Sequence, residues 1–201
     1  MTDIIKIALS AVLSYFIGCF NTAYFISKNF KKTDIREHGS GNAGTTNMLR
    51  TYGAKAAVPV FFFDALKGSL AVLLAGFISS GLPAAIFASS AAVVLGHNWP
   101  VTIHFKGGKG IATTLGVGLV LSPLPTLAAL AAFILATVLF RMVSLGALVG
   151  LVSVVGMFFV FSEPWYKTGA MGLLLVFGFI QHRENIKRLV KGTESKVGKK
   201  N

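Results

Sequence analysis

The sequence predicts an all-α integral membrane protein of about seven transmembrane helices, some of them short, with the N-terminus outside and the C-terminus inside. Three observations carry this. The chain has 201 residues, of which 54% are hydrophobic and only 13% charged, whereas a soluble domain carries about 25% charged residues. Apolar runs that need lipid around them, about 20 residues long, recur along the chain. The cations, finally, gather in loops that one side of a membrane would share.

Taken in order, helical segments fall at about 4–27, 56–80, 83–97, 111–122, 126–141, 144–162 and 169–187. The first follows Asp3 and Lys6, is too long for a secretory signal core and lacks a small-residue cleavage pattern, so it reads as a retained helix. The first, second, sixth and seventh are long enough to span. The middle three are short and are expected to tilt, thin the bilayer or re-enter it. Gly81-Leu82-Pro83 and Ser122-Pro123-Leu124-Pro125 read as turns, because proline ends helices and glycine relaxes the backbone. No polar segment is long enough to fold alone, so the prediction is a single transmembrane domain over 1–201.

Placing the 28–55 loop inside puts Lys106, Lys109, Arg141 and the basic tail from Arg183 to Lys200 on the same side, and leaves only Lys6 and Lys167 on the other. The net charge of +12 is thus explained by the positive-inside rule and by attraction to anionic lipid heads. It does not point to nucleic acid, since the cations form no folded polar surface. The one cysteine, Cys19, lies in the first apolar run and excludes a disulfide framework. His38, His97 and His104 show no metal-ligand spacing, so no metal and no cofactor are expected. His97-Asn98-Trp99-Pro100 reads as a helix end with an interfacial tryptophan.

Two loops concentrate the polar chemistry. The first runs from His38 to Arg50 and contains Gly39-Ser40-Gly41-Asn42-Ala43-Gly44-Thr45-Thr46-Asn47. Its Gly-x-Gly-x-x-Gly spacing is not a dinucleotide fingerprint, which requires a preceding strand. Its mechanics still suit an anion: Ser40, Asn42, Thr46 and Asn47 offer neutral hydrogen-bonding groups, and Arg50 a planar fork that matches phosphate. The second loop is Phe105-Lys106-Gly107-Gly108-Lys109-Gly110. It is not a Walker A loop, because Ile103 stands where glycine is required and Gly110 where Ser or Thr is required. It leads into an apolar helix, whose N-terminus offers unpaired N–H groups, and Lys109 adds a full charge. Gly107 and Gly108 are expected to allow close backbone approach, with positive φ at Gly108. Lys106 reads as an ordinary interfacial cation.

A third cluster, Gln181-His182-Arg183-Glu184-Asn185-Ile186-Lys187-Arg188-Leu189, ends the last helix, where a continuous helix would put His182 and Asn185 on one face. From charge alone it reads equally as a basic stop at the membrane exit. Asp64 and Lys67, one turn apart within the second helix, are intramembrane ionisable residues; they read as a structural ion pair or as functional groups.

Together these clusters resemble the acyl-phosphate-dependent glycerol-3-phosphate acyltransferases of bacterial inner membranes, and Gly96-His97 through Pro100 and Asp64-Ala65-Leu66-Lys67-Gly68 extend the resemblance over essentially the whole chain. The resemblance implies acyl transfer from a fatty acyl phosphate to the 1-hydroxyl of glycerol 3-phosphate, giving lysophosphatidic acid at the cytoplasmic face of the inner membrane. The partners it implies are those two substrates and membrane lipids, and the expected state is a monomer. The His-x-x-x-x-Asp pair of acyl-CoA-dependent enzymes is absent: five residues after His38, His97, His104 and His182 stand Ala43, Thr102, Lys109 and Lys187.

On that basis Arg50 and Lys109 are expected to carry phosphate charge and Gly107 and Gly108 to let the backbone approach. Ser40, Asn42, Thr46 and Asn47 would hydrogen-bond substrate. His182 and Asn185 would orient glycerol 3-phosphate, and Ser144 would join the phosphate pocket. The general base is either His182, by its ordinary pKa, or a substrate phosphate oxygen. An organic-anion transporter is the rival class, since loop cations and broken helices serve that too.

Overall fold

A computed structural model describes residues 1–198. Among these it is all helical, in the order α1 (Asp3–Cys19), α2 (Thr22–Phe30), α3 (Thr45–Tyr52), α4 (Ala54–Ser79), α5 (Pro83–Asn98), α6 (Ile111–Leu121), α7 (Pro123–Phe140), α8 (Val143–Val160), α9 (Trp165–Gln181) and α10 (Arg183–Val190). Short 3-10 turns cover Ile35–Glu37 and Val101–Ile103. Among the described residues five stretches are long and apolar enough to cross a membrane: Asp3–Phe30, Ala54–Ser79, Pro83–Ile103, Pro123–Phe140 and Val143–Val160. Their outward residues, such as Phe62, Phe77, Leu135 and Phe159, are exposed and apolar, as lipid contact requires.

Four of the expected segments change. The first run breaks at Phe20–Asn21, because the Asn21 side chain accepts from Tyr24 N at 2.8 Å and starts a second helix. The Ser122–Pro125 segment is no turn: Pro123 and Pro125 lie in the first turn of α7, where a missing N–H costs nothing, and α7 thereby reaches 18 residues. The 3-10 turn after α5 likewise lengthens that span to 21 residues. The last run breaks at His182, which caps both α9 and α10. Lys199 and Lys200 lie outside the described residues.

The chain forms two compact units, Met1–Leu121 and Ser122–Asn201. In the first, α1 packs on α5 and α4 on α6. Both crossings use small residues: a Cβ on Gly18 or Gly96 would strike the partner backbone at Val93 or Tyr15, and one on Gly68 or Gly116 would strike Thr113 or Ala65. Such close approach replaces the hydrophobic drive that lipid does not supply. Side-chain hydrogen bonds reinforce it, with Ser14 to Ser89 at 2.7 Å and Ser69 Oγ donating to Gly116 O at 2.9 Å. A small apolar core of Ala23, Ile35, Ala43, Met48, Ala56, Ala57 and Val60 seats the 31–53 segment.

In the second unit α8 packs between α7 and α9. Gly146 lies tight against Phe133 and Thr137 of α7. Glu163, in the α8–α9 connection, is bonded by Ser122 and by Lys167 Nζ at 2.9 Å.

Candidate active site

In the first unit, the two glycine loops are built onto each other. Asn42 Nδ2 donates to Gly107 O at 3.4 Å. Gly44 is the N-cap of α3 and the second loop runs straight into α6. Two helix N-termini, each preceded by glycine-rich backbone, are thus joined by one bond. Gly39 and Gly41 adopt positive φ, at 58° and 72°, as glycine allows.

Asn47 organises the first loop. It is buried; its Oδ1 accepts from Ser40 N at 2.9 Å, and its Nδ2 donates to Ile35 O at 3.1 Å and His38 O at 2.9 Å. Ser40 and Arg50 are exposed, and Thr46 is half-buried in the first turn of α3. Arg36, a cation of the 28–55 loop, acts as a staple. It donates three times to Asp34, through its backbone N–H, Nε and Nη2, and once, through Nη1, to Ile103 O at 2.8 Å. Hydrogen bonds from Arg36 hold the Asp34 carboxyl down to about 2. Asp34, Arg36, Glu37, Gly41, His104, Lys106 and Gly107 line one cleft, so Lys106 faces a polar recess.

The second loop differs from expectation in one respect. Positive φ falls at Gly110, His104 and Phe105, not at Gly108. Gly108 must be glycine because a Cβ would run into the His97 ring, and one on Gly107 would strike His97 O and Pro100. Lys109 is half-buried between Gly108 and Gly110. His97 lies in the last turn of α5, at the helix end expected there, and is buried, with Nδ1 2.8 Å from Lys67 Nζ.

In the second unit, His182 is buried at the α9–α10 break and its Nδ1 lies 2.8 Å from Gly178 O. A carbonyl only accepts, so Nδ1 carries a proton and Nε2 is the basic nitrogen of the neutral ring. Asn185 and Ser144 do converge, on a residue the sequence reading passed over. Glu194 Oε1 accepts from Asn185 Nδ2 at 2.8 Å and Ser144 Oγ at 2.9 Å, and its Oε2 accepts from Arg188 Nε at 2.8 Å. Burial works against the charge on Glu194, but the bonds from Asn185, Ser144 and Arg188 outweigh it and lower its pKa.

Glycerol-3-phosphate acyltransferase is the family whose model matches, over residues 8–192. The chain belongs to the glycerol-3-phosphate acyltransferase family. It is 48% identical to the glycerol-3-phosphate acyltransferase of Thermoanaerobacter pseudethanolicus, covering 96% of both chains. With that of Clostridioides difficile it shares 41% identity over 98% of each. Among solved structures it matches the crystal structure of PlsY (YgiH), an integral membrane glycerol 3-phosphate acyltransferase, in its glycerol 3-phosphate form. The TM-score is 0.90 at 34% identity, over 96% of both chains. The lysophosphatidic acid form of the same protein matches at a TM-score of 0.88 and 33% identity. The chain is therefore an integral membrane acyltransferase of lipid biosynthesis.

Proposed function

We propose that the protein transfers a fatty acyl group from an acyl phosphate to the 1-hydroxyl of glycerol 3-phosphate, releasing phosphate and lysophosphatidic acid. The observation that carries this is the pair of glycine loops, each leading to a helix N-terminus and joined through Asn42 and Gly107. Both substrates and the leaving group are phosphates, and such loops with Arg50 and Lys109 favour developing negative charge. An acyl phosphate is a mixed anhydride with a good leaving group already in place. The enzyme then has to bind, orient and neutralise, and needs no acyl-enzyme intermediate. The absence of a His-x-x-x-x-Asp pair in the sequence fits a donor other than acyl-CoA.

In this reading Arg50 and Lys109 neutralise phosphate, while Ser40, Asn42 and Thr46 hydrogen-bond it. Asn47 supports the loop they stand on, and Gly107 and Gly108 supply its backbone surface. Asn185 and Ser144 orient glycerol 3-phosphate. The basic Nε2 of His182 takes the hydroxyl proton, or a substrate phosphate oxygen does. The protein works as a monomer, as one functional domain over 1–201, without metal or cofactor. About seven helices cross the inner membrane, N-terminus out and C-terminus in, with the reaction at the cytoplasmic face; the loop cations support that orientation.

Turnover of purified protein in detergent tests the donor. Lysophosphatidic acid should form from glycerol 3-phosphate and palmitoyl phosphate, also in excess EDTA, and not from palmitoyl-CoA. Comparable rates with both donors would sink the donor assignment, and no product with either would return the transporter reading.

A further inference from the structure

Beneath the second glycine loop lies a buried polar cluster that the reaction as proposed does not use. Asp64, Lys67 and His97 are each at most 5% exposed. Lys67 Nζ is 2.9 Å from Asp64 Oδ1, 2.7 Å from Phe20 O and 2.8 Å from His97 Nδ1. An ammonium has three N–H donors, and here each has an acceptor. Nδ1 therefore accepts, and the ring proton of His97 sits on Nε2, the edge that faces Gly108. Backbone bonds lock the same contact, with Gly108 N donating to His97 O at 3.0 Å and Gly107 N to Asn98 O at 3.2 Å.

The cluster also reaches the first loop. Phe20 O belongs to the break between α1 and α2, where Thr22 Oγ1 donates to Asp64 Oδ1 at 3.1 Å and Asn21 Nδ2 to Ala43 O at 3.0 Å. Asp64 and Lys67 both stand on α4, so a pin from that helix to the α1–α2 break would be complete with Thr22 bonded to Asp64 and Lys67 bonded to Phe20 O. The third N–H of Lys67 instead fixes the tautomer and tilt of a ring on which the Gly107–Gly108 backbone rests.

We propose that Lys67 and His97 are positioning residues, which set the Gly107–Gly108 backbone from below through the His97 ring. This rests on the reading that the second loop carries a substrate phosphate, of glycerol 3-phosphate or of the acyl donor. Variants of the full-length protein in detergent would be compared by thermal melting and by calorimetric binding of glycerol 3-phosphate and of palmitoyl phosphate, each alone. Because binding needs no turnover, a failed donor assignment shows in the wild type and leaves the glycerol 3-phosphate arm intact.

H97N keeps an acceptor for Lys67 but removes the ring from under Gly108. It should melt close to wild type and bind one of the two phosphates at least tenfold more weakly, identifying which one the loop holds. G108A alone should be harmful because its Cβ meets the ring; combined with H97N it refills the space and should recover at least threefold of the lost affinity. D64N/K67M removes the pair without leaving a buried charge unpaired, and should weaken the same ligand at least fivefold. Wild-type affinity for both ligands in either folded variant overturns the proposal. If H97N does not fold, D64N/K67M decides; if neither folds, the cluster is structural and the proposal falls.

Discussion

Asn42 and Gly107 meet across 65 positions of sequence, with the asparagine amide donating to the glycine carbonyl at 3.4 Å. The bond closes the first glycine loop onto the second. It is long, so Asn42→Ala should cost only about 0.5–1 kcal/mol of stability. Asn42→Asp should be worse, because a carboxylate would face the Gly107 carbonyl and repel an anionic substrate. The KM for the phosphate substrates should rise in the order wild type, Ala, Asp, with at least tenfold between the ends. Equal KM values in Ala and Asp would show that Asn42 does not face the anion.

Lys109→Ala should cut activity tenfold to over a hundredfold, the loss of a charged phosphate contact worth roughly 1.5–3 kcal/mol. The protein should stay folded, since Gly108 and the Asn98 and His97 carbonyls hold the loop by backbone. Wild-type turnover in a folded variant would remove Lys109 from the site.

The helical membrane class and both glycine loops were legible in the sequence, because apolar length and glycine density are local signals. The breaks at Asn21 and His182 were not. Neither is marked by a proline; the Asn21 break is made by a cap that looks like an ordinary polar residue, and the His182 break falls where the apolar run gives way to a polar one. Pro123 misled in the opposite direction, since a proline at the first helical position starts a helix instead of ending one. Positive φ does not occur at Gly108; a side chain there is barred by the His97 ring, a tertiary contact no spacing rule sees. Glu194 did leave a signal, as the sole acid after Glu184 in a basic tail.

Impermeant thiol labelling checks orientation. A cysteine placed beside Lys167 should react from outside intact cells, and one beside Lys196 should not. The reverse pattern would put the basic loops on the wrong face for cytoplasmic glycerol 3-phosphate.

Asp34→Asn tests the Arg36 staple. The Asp34 carboxyl titrates at about 2, mainly through its hydrogen bonds from Arg36. Its charge therefore stabilises the fold above the ordinary carboxylate range, and that stability drains away as pH falls from about 4 towards 2. Allowing for screening at the partly exposed Arg36 and Lys28, the variant should lose about 1 kcal/mol at neutral pH. Melting of the two proteins in detergent should converge at low pH. A constant gap across the range would mean that the charge is not what holds the loop.

Glu194 gathers Ser144, Asn185 and Arg188 on one buried carboxylate. Glu194→Ala leaves the Ser144 and Asn185 donors buried without an acceptor, while the more exposed Arg188 turns to water. At about 1–3 kcal/mol for each unsatisfied donor, the segment after α10 should detach from α8. Glu194→Gln keeps an oxygen for Ser144 and Asn185 but points an NH₂ at Arg188, so it should cost less. The lowered pKa fixes the pH dependence: the charge stabilises the unit above the ordinary glutamate range, and the difference between wild type and Gln should shrink as pH falls below about 4. Limited proteolysis beyond Val190, followed with melting in detergent, reads this directly. Ala should be cut fastest, Gln next and wild type slowest, and acyl transfer should fall in the same order if Ser144 and Asn185 orient glycerol 3-phosphate. An Ala variant that resists protease and melts like wild type would show that the carboxylate does not anchor this end of the chain.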